Sequence, residues 1–478
     1  MCRTLPNADS SLRRLTTLNI FLISVLLLIN YIGAEAKSNA DTVSGKSSHG
    51  IARSKNPIHD NVSSSDFATL FRDSTLRVDY VFGSAPADSV SGRTKPIVLL
   101  KSTSMRKGWA GRRHDLNRPL LQGHGRIIMT DPISGDTLYV HPFSSLFNEW
   151  LSLPELSATP QAFQQTFLLP MPRSNVEITI QINDMRRRPI ARFTHRYSPD
   201  DILTRPLNRH LAEDAPEVRI LHPGSSENPI NVAILAEGYS REESEQFFSD
   251  ASTAVEEILS YEPFLSNSDR FTFTAVASPS AESGVSIPKE NDWRDTAFGS
   301  HFSTFYTDRY LTTPEVWSLH DALSDIPYEH IIVLANTEEY GGGGIFNSYM
   351  LIAVRQEDFL PTVVHEFGHS FGGLADEYFS DKPGVCNYPL NVEPWEPNIT
   401  TLTDFPAKWQ DIIPADTPIP TPPEKASEYP TGIYEGAAYQ ATGIYRPANE
   451  CRMRNNTYPD FCPTCRRALL RQILHQSE

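Results

Sequence analysis

The spacing of apolar and polar residues separates the chain into two regions of different architecture. Within residues 66–197, the runs Leu76–Phe82 and Val176–Ile182 place an apolar residue at nearly every second position. A period of two residues is typical of strands with one buried face. Several short strands of this kind, separated by turns, predict an amino-terminal β-sandwich domain.

The pattern changes after residue 228. Asn231–Ala236 and Ile331–Ala335 are short apolar runs, as expected for strands buried on both faces. Ser240–Glu243 has the sequence of a capping box, and a helical pattern follows it. Strands that alternate with helices predict a mixed, partly parallel sheet covered by helices over residues 229–478. The proline-containing segment 198–228 is predicted to link the two regions.

A run of four glycines, Gly341–Gly344, precedes the apolar stretch Ile345–Val354. Glycine leaves the backbone open to close approach, and no phosphate-loop lysine follows. We therefore interpret the run as a turn into an edge strand, with a flexible loop as the alternative. An edge strand of this kind can pair with an extended peptide.

The candidate chemistry lies in a predicted helix that contains an H-E-x-x-H motif, His365–His369. Positions four apart lie on one face of a helix, so His365 and His369 can direct two imidazole nitrogens to one zinc ion at about 2.0–2.1 Å. Glu366 would lie beside the open position of that metal, where it can accept a proton from water. Gly372–Gly373 is expected to end the helix.

A hydrolytic zinc site requires a third protein ligand and a position for water. After the glycine turn the chain can return Asp376 to the metal, and Glu377 is the competing candidate. We favour Asp376, because it comes first after the turn and carboxylate oxygens are accepted zinc ligands. The arrangement resembles the metzincin motif H-E-x-x-H-x-x-G-x-x-H, except that Ala375 occupies the position of the third histidine.

Length and charge limit the classes of function. With 478 residues, the chain has room for two or more domains. Its formal net charge is -16, without a long run of one sign. An acidic balance argues against a nucleic-acid-binding protein, whose contact surface is basic.

The first 36 residues have the features of a cleaved signal peptide. The pair Arg13-Arg14 precedes an apolar run, Leu18–Ile32, and Ala34–Ala36 provides an A-x-A cleavage signal. We therefore expect export to a secreted, periplasmic or cell-surface location, with no stable membrane span after cleavage. A membrane anchor is the alternative. Residues 37–65, rich in polar residues, are predicted to form a disordered leader.

Four cysteines remain after the predicted cleavage: Cys386, Cys451, Cys462 and Cys465. An even number in an exported protein predicts two disulfides, with three possible pairings. A structural zinc site is the alternative, because Cys462 and Cys465 have the C-x-x-C spacing of metal ligands. Against it, Cys386 and Cys451 do not form a second close pair.

Several motifs together resemble those of the IgA-peptidase family of secreted bacterial zinc metallopeptidases. They are His365–Tyr378, Tyr340–Gly344, Glu282–Val285, Tyr445–Pro447 and Cys451–Met453. The resemblance extends over about residues 66–478 and includes the amino-terminal β domain. It implies an α+β fold in which a metzincin-like mixed α/β zinc-peptidase domain, 229–478, follows the β-sandwich.

The resemblance also implies roles for individual residues. His365, His369 and Asp376 would bind Zn²⁺. Glu366 would be the catalytic base, and Met453 would lie in a methionine turn beneath the metal. The family name reflects cleavage of immunoglobulin A by one kind of member and does not establish that substrate for this chain.

Our hypothesis is an exported zinc endopeptidase that hydrolyses peptide bonds in protein or peptide substrates, with Glu366 as general base. A tyrosine could stabilise the oxyanion, and Tyr378, Tyr445 and Tyr458 are the candidates. The alternative is a cell-surface adhesion or glycan-binding protein with a non-catalytic metal site. The sequence leaves the natural substrate and the oligomeric state open.

Overall fold

The computed structural model describes residues 67–85, 94–153, 156–157, 159–207, 216–379 and 388–477. The predicted signal peptide and leader lie outside the described residues, as does Cys386. Within the described residues, no helix has both the length and the apolar character needed to cross a membrane.

Two four-stranded sheets form the amino-terminal region. Their strands are β1 (Phe71–Ala85), β2 (Lys95–Lys107), β3 (Gly125–Thr130), β4 (Thr137–Phe143), β5 (Ala162–Pro172), β6 (Val176–Asn183), β7 (Pro189–Tyr197) and β8 (Arg205–Pro206). The strand orders are β5-β1-β2-β8 and β4-β3-β6-β7. Two short helices, α1 (Phe67–Leu70) and α2 (Leu146–Leu151), accompany them.

Apolar side chains of both sheets meet in one core. On β6, the alternation noted in the sequence places Ile178, Ile180 and Ile182 in the interior at 0 % exposure. They share a cluster with Tyr80 and Phe82 of β1 in the other sheet. Two sheets that bury their facing sides in this way form the predicted β-sandwich.

A six-stranded mixed sheet organises the second region. Its strands are β9 (Glu217–His222), β10 (Ile230–Glu237), β11 (Phe271–Ala277), β12 (His330–Ala335), β13 (Gly342–Gly344) and β14 (Met350–Ala353), in the order β13-β14-β12-β10-β11-β9. The four inner strands run parallel, whereas β9 and β13 are antiparallel edges. A separate hairpin pairs β15 (Tyr434–Ala437) with β16 (Gln440–Arg446).

Helices cover both faces of this sheet. They are α3 (Ser244–Ser260), α4 (Val316–Ala322), α5 (Phe359–Ser370) and α6 (Pro463–Ser477), with short 3₁₀ turns at Arg241–Glu243, Leu265–Arg270, Pro288–Glu290, Thr304–Tyr306, Phe405–Ala407, Gln410–Ile412 and Pro423–Lys425. Helices α3, α5 and α6 share a core with one face, and α4 packs on the other. Amino-terminal β-sheets followed by a mixed α/β region confirm the predicted fold class.

Two predicted boundaries differ from the structure. Strand β9 lies within the segment 198–228 that was expected to be a linker, and it pairs with β11. The charged residues Glu217, which is exposed, and Arg219, which is half-buried, interrupt the apolar pattern of this edge strand. The edge strand expected at 345–354 is also shifted, because β13 itself consists of Gly342–Gly344.

The shift of the edge strand has a steric cause. At Gly344 an added Cβ would overlap the carbonyl oxygen of Glu366 and lie 3.0 Å from the Cβ of His369. Strand β13 therefore runs directly against helix α5, and only glycine permits that approach. The glycine run predicted as a turn is thus part of the strand that borders the motif helix.

Phe264 supports helix α5 from below. It is fully buried and its ring lies 5.3 Å from that of Phe367 and 6.0 Å from that of Phe371, centroid to centroid. Aromatic rings at these separations stabilise a core through packing and through edge-to-face contact. The position of α5 therefore depends on this aromatic cluster.

We expect Phe264→Ala to lower the free energy of unfolding by about 3–5 kcal/mol, because it leaves a cavity under α5. Urea denaturation followed by tryptophan fluorescence measures the change. The neighbouring Leu265→Ala is the matched control, since Leu265 is 54 % exposed and its truncation should cost less than about 1 kcal/mol. Equal effects of the two substitutions would contradict this description of the core.

Candidate metal centre

Three side chains from two turns of the chain converge at the end of helix α5. The Nε2 atoms of His365 and His369 are 3.1 Å apart. Oδ1 of Asp376 lies 3.1 Å from the first and 3.2 Å from the second. A zinc ion at about 2.0–2.1 Å from each of the three atoms fits this triangle.

The helix end explains why Asp376 returns to the two histidines. Gly373 has a φ of +60°, and its amide donates to the carbonyl of His369 at 2.9 Å. This left-handed residue ends the helix and reverses the chain, as the glycine pair predicted. Asn398 then holds the returning segment through two hydrogen bonds of 2.8 Å. Its Oδ1 accepts from the amide of Ala375, and its Nδ2 donates to the carbonyl of Ala375.

Backbone carbonyls set the tautomer of both imidazoles. Nδ1 of His365 lies 3.0 Å from the carbonyl oxygen of Arg452, and Nδ1 of His369 lies 2.6 Å from that of Leu374. A carbonyl only accepts, so each Nδ1 carries the proton and each neutral ring turns an Nε2 lone pair inward. Two lone pairs and a carboxylate oxygen at such distances repel one another unless a cation lies among them.

The same geometry shifts the pKa values of the cluster when no metal is bound. Burial would lower the pKa of His369, but the charge of Asp376 raises it to about 9. Burial would raise the pKa of Asp376, but the two imidazoles lower it below its usual value. A proton held by His369 thus takes the place of a cation, and a metal that binds here displaces it.

Glu366 directly follows the first candidate ligand on helix α5. It is partly exposed, whereas its neighbours Val364, His365 and Phe367 on the helix are buried. Burial raises the pKa of Tyr340, and the charge of Glu366 raises it further. The same two causes, with a contribution from Asp376, raise the pKa of Tyr378. The charge of the Glu366 carboxylate therefore acts on both tyrosines.

Two tyrosines border the group on the solvent side. The hydroxyl of Tyr439 donates to Oδ2 of Asp376 at 2.5 Å, and it lies 2.9 Å from the hydroxyl of Tyr378. Tyr378 and Tyr439 are 37 % and 38 % exposed, so they form the rim of an opening. Of the three tyrosines considered from the sequence, Tyr378 is at the group, whereas Tyr445 pairs with Thr400 in the hairpin and Tyr458 lies in a surface turn.

Met453 lies beneath the motif helix. It is fully buried, and its sulfur would be 2.8 Å from a Cβ added at Gly368. The backbone around it turns, since the amides of Arg454 and Asn455 both donate to the carbonyl of Cys451. The preceding residue, Arg452, supplies the carbonyl that receives the Nδ1 proton of His365. The turn therefore positions one imidazole directly.

The amino-terminal region also reaches this part of the molecule. Asn347 donates its backbone amide to the carbonyl of Ser370, the last residue of α5, at 3.0 Å. Its side chain donates to the carbonyl of Pro142 in β4 at 2.9 Å.

Glu149, on helix α2, accepts a hydrogen bond from Tyr310. Burial raises the pKa of Glu149 to about 7, although Tyr310 and His369 lower it.

Glu377, the alternative third ligand, points elsewhere. Its side chain is fully buried and lies with Cys451, Cys462 and Cys465. These three cysteines carry no disulfide bond. The expected two disulfides are therefore not formed among the described cysteines, and Cys386 lies outside the described residues.

Sequence reasoning missed Tyr439, Asn398 and Glu149. Tyr439 follows the candidate ligands by more than sixty residues, and no local pattern distinguishes it from other tyrosines. Glu149 belongs to the region assigned to the sandwich. No pattern in the sequence placed these three residues beside the motif.

Family comparisons agree with the architecture. Residues 66–194 match the family model described as Peptidase M64 N-terminus. Residues 218–431 and 424–473 match the model described as IgA Peptidase M64, which thus covers more than half of the chain. No curated protein sequence matched the chain.

We expect Tyr439→Phe to weaken metal binding by roughly 10–100-fold, because the variant loses the hydrogen bond that orients Asp376. Competition with a chromogenic chelator measures the affinity. Tyr458→Phe, which removes a hydroxyl from a surface turn, is the control and should bind metal as the unaltered protein does. Identical affinities in all three proteins would show that the phenol does not orient the carboxylate.

Proposed function

The chain belongs to the IgA peptidase M64 family, whose members are metallopeptidases that hydrolyse peptide bonds, and from this premise we propose that it is an exported zinc endopeptidase with His365, His369 and Asp376 as metal ligands. The observation that carries the proposal is the convergence of two Nε2 atoms and one carboxylate oxygen within 3.2 Å of one another.

The donor set favours zinc. Two imidazoles and one carboxylate are a ligand combination of catalytic zinc sites, which leave the fourth position to water. The three side chains are between 10 % and 16 % exposed, so the ion would be accessible from one side only. A structural zinc site normally has four protein ligands. The two exposed tyrosines at the rim leave room for a substrate instead.

The chain's own residues supply the proton transfers. His365, His369 and Asp376 would hold the zinc ion, which would supply the polarisation of the scissile carbonyl and a lowered pKa of water. Glu366 accepts the proton of the attacking water and later gives it to the departing amine. His365 and His369 keep their Nδ1 protons on backbone carbonyls, which holds both rings in the orientation that binding requires.

A tyrosine hydroxyl is the candidate donor to the oxyanion. Tyr378 and Tyr439 lie at the open side, and Tyr439 already donates to Asp376. Tyr378 is therefore the one whose proton can be redirected to a substrate oxygen. Burial and the charge of Asp376 raise the pKa of Tyr378, so its hydroxyl stays protonated at neutral pH.

The edge strand β13 supports a polypeptide substrate. It pairs with β14 on one side only, and it runs beside the helix that carries Glu366. An extended peptide can add to such an edge through backbone hydrogen bonds, which accommodates many side-chain sequences. Export, proposed from the arginine pair, the apolar run and the A-x-A sequence, would place this activity on proteins outside the cytoplasm.

We expect Glu366→Gln to retain metal but to lose turnover by a factor on the order of 10²–10⁴, because the amide cannot accept the proton of the water. Hydrolysis of casein, with and without a chelator, measures the activity, and elemental analysis measures the metal. Glu357→Gln, an exposed position just before the same helix, is the matched control and should retain activity. Normal hydrolysis by Glu366→Gln would refute the assigned role.

We expect His365→Ala, His369→Ala and Asp376→Ala each to lose the metal of this site, because two remaining ligands hold zinc weakly. The zinc content of each purified variant, compared with the unaltered protein, tests the ligand set. His222→Ala on the opposite edge strand β9 should leave the content unchanged. Full retention of zinc in any of the three ligand variants would remove that residue from the set.

A further inference from the structure

A second group of metal-binding side chains lies behind the first. Cys451, Cys462, Cys465 and Glu377 bring three sulfur atoms and a carboxylate oxygen within 4.8 Å of one another. All four residues are buried, with exposures of 0 %, 4 %, 0 % and 0 %. The group joins three segments: the extended segment that contains Asp376 and Glu377, the turn that contains Met453, and the start of α6.

The distances match a tetrahedral ion better than a disulfide. The sulfur atoms of Cys451 and Cys465 are 3.8 Å apart, whereas bonded sulfurs are separated by about 2.0 Å. Thiolates at about 2.3 Å from one tetrahedral zinc ion have their sulfurs about 3.8 Å apart. Without an ion, the thiol of Cys465 donates a hydrogen bond to Oε1 of Glu377 at 3.0 Å, so the carboxylate and this sulfur are already in contact.

Glu377 lacks a counter-charge in direct contact. Asn398 donates to its Oε1 at 3.0 Å, but Oε2 is buried with no hydrogen-bond partner among the described residues. The nearby Arg446 instead donates to the backbone carbonyls of Glu435 and Gly436. Burial of a carboxylate oxygen without a partner is costly, and an ion bound by the carboxylate removes that cost.

The backbone also supports a thiolate. The amide of Cys462 donates to the sulfur of Cys451 at 3.3 Å, in a part of the structure closed to solvent. A charged sulfur is a better acceptor than a neutral thiol, so this hydrogen bond favours the ligand form of Cys451. Cys462 and Cys465 add the C-x-x-C spacing that is common in zinc sites.

We propose that Cys451, Cys462, Cys465 and Glu377 bind a second zinc ion, which has a structural role. Four protein ligands complete a tetrahedron and leave no position for water, as in structural zinc sites. Binding releases the thiol protons, so that three thiolates and one carboxylate hold the ion. Thiolate ligands favour zinc over calcium or magnesium.

The site would hold the first metal centre in place. Glu377 directly follows Asp376, and the amide of Glu377 donates to the carbonyl of Met453 at 2.8 Å. Cys451 directly precedes Arg452, whose carbonyl receives the Nδ1 proton of His365. The second ion would therefore fix both a ligand and the backbone that orients another. This consequence rests on the proposed function, whereas binding of the ion itself does not.

The decisive measurement is the zinc content of the double variant His365→Ala/His369→Ala. The mature chain is produced with zinc in the medium and purified under reducing conditions without chelators. The variant lacks the proposed catalytic site, so we expect one zinc ion per chain, against two in the unaltered protein. Less than about a tenth of an ion per chain in the double variant would overturn the proposal.

Further substitutions in the double variant assign that ion to its ligands. Cys451→Ser should abolish zinc binding, and Glu377→Gln should weaken it at least tenfold. Cys386→Ser is the matched control and should retain the ion. Loss of zinc in Cys386→Ser, or unchanged affinity in Glu377→Gln, would overturn the ligand set. Circular dichroism establishes whether each variant is folded.

Two measurements on unsubstituted cysteines remain informative if the serine variant does not fold. Cobalt in place of zinc in the double variant should give the intense near-ultraviolet absorption of thiolate-to-cobalt charge transfer, and its absence would overturn the proposal. For protein purified without reductant, alkylation after denaturation with a chelator should label Cys451, Cys462 and Cys465. Labelling of these only after reduction would show a disulfide and overturn it.

A separate comparison tests the proposed function. If the unaltered protein and the double variant both contain one zinc ion, the second site stands and the proposed catalytic ligand set fails. If the unaltered protein contains one ion and the double variant none, the ligand set stands and the second site fails.

Discussion

The close approach of two imidazole nitrogens and one carboxylate oxygen is the interaction on which the rest of the structure depends. Groups that all present lone pairs do not remain about 3 Å apart by mutual attraction. They are held there by backbone carbonyls behind each ring and by Asn398 behind the returning strand. The surrounding fold supplies the rigidity that keeps this repulsive arrangement ready for a cation.

Much of the second region serves that rigidity. Helix α5 packs on the parallel sheet through fully buried residues such as Val363 and Phe367. The aromatic rings around Phe264 set the distance between the helix and the sheet. The edge strand β13 approaches the other side closely because it consists of glycine. The turn containing Met453 closes the space below. Each contact limits a different movement of the same helix. The packing of the core therefore determines where the two imidazoles lie.

Local patterns carried most of what could be predicted from the sequence. Short continuous apolar runs predicted strands β10 and β12, and the H-E-x-x-H motif predicted helix α5. The glycine pair predicted the reversal that brings Asp376 back. Long-range partners left no such pattern. Tyr439 meets Asp376 only because a distant hairpin folds over the helix end, and Glu377 meets three cysteines only in the folded chain. The even number of cysteines, a property of composition alone, predicted disulfides. In the folded chain three of these cysteines lie with Glu377 in one cluster and form no disulfide.

Asn347 connects the amino-terminal sandwich to the motif helix through two hydrogen bonds. Its backbone amide donates to the carbonyl of Ser370 at the end of α5, and its side-chain amide donates to the carbonyl of Pro142 in β4. Its left-handed backbone, with a φ of +51°, is a conformation that asparagine tolerates better than most residues. Loss of the sandwich would remove the carbonyl of Pro142 and release the side chain of Asn347, whose backbone amide caps the helix at the end nearest His369. The sandwich therefore helps to hold the residue that caps the motif helix.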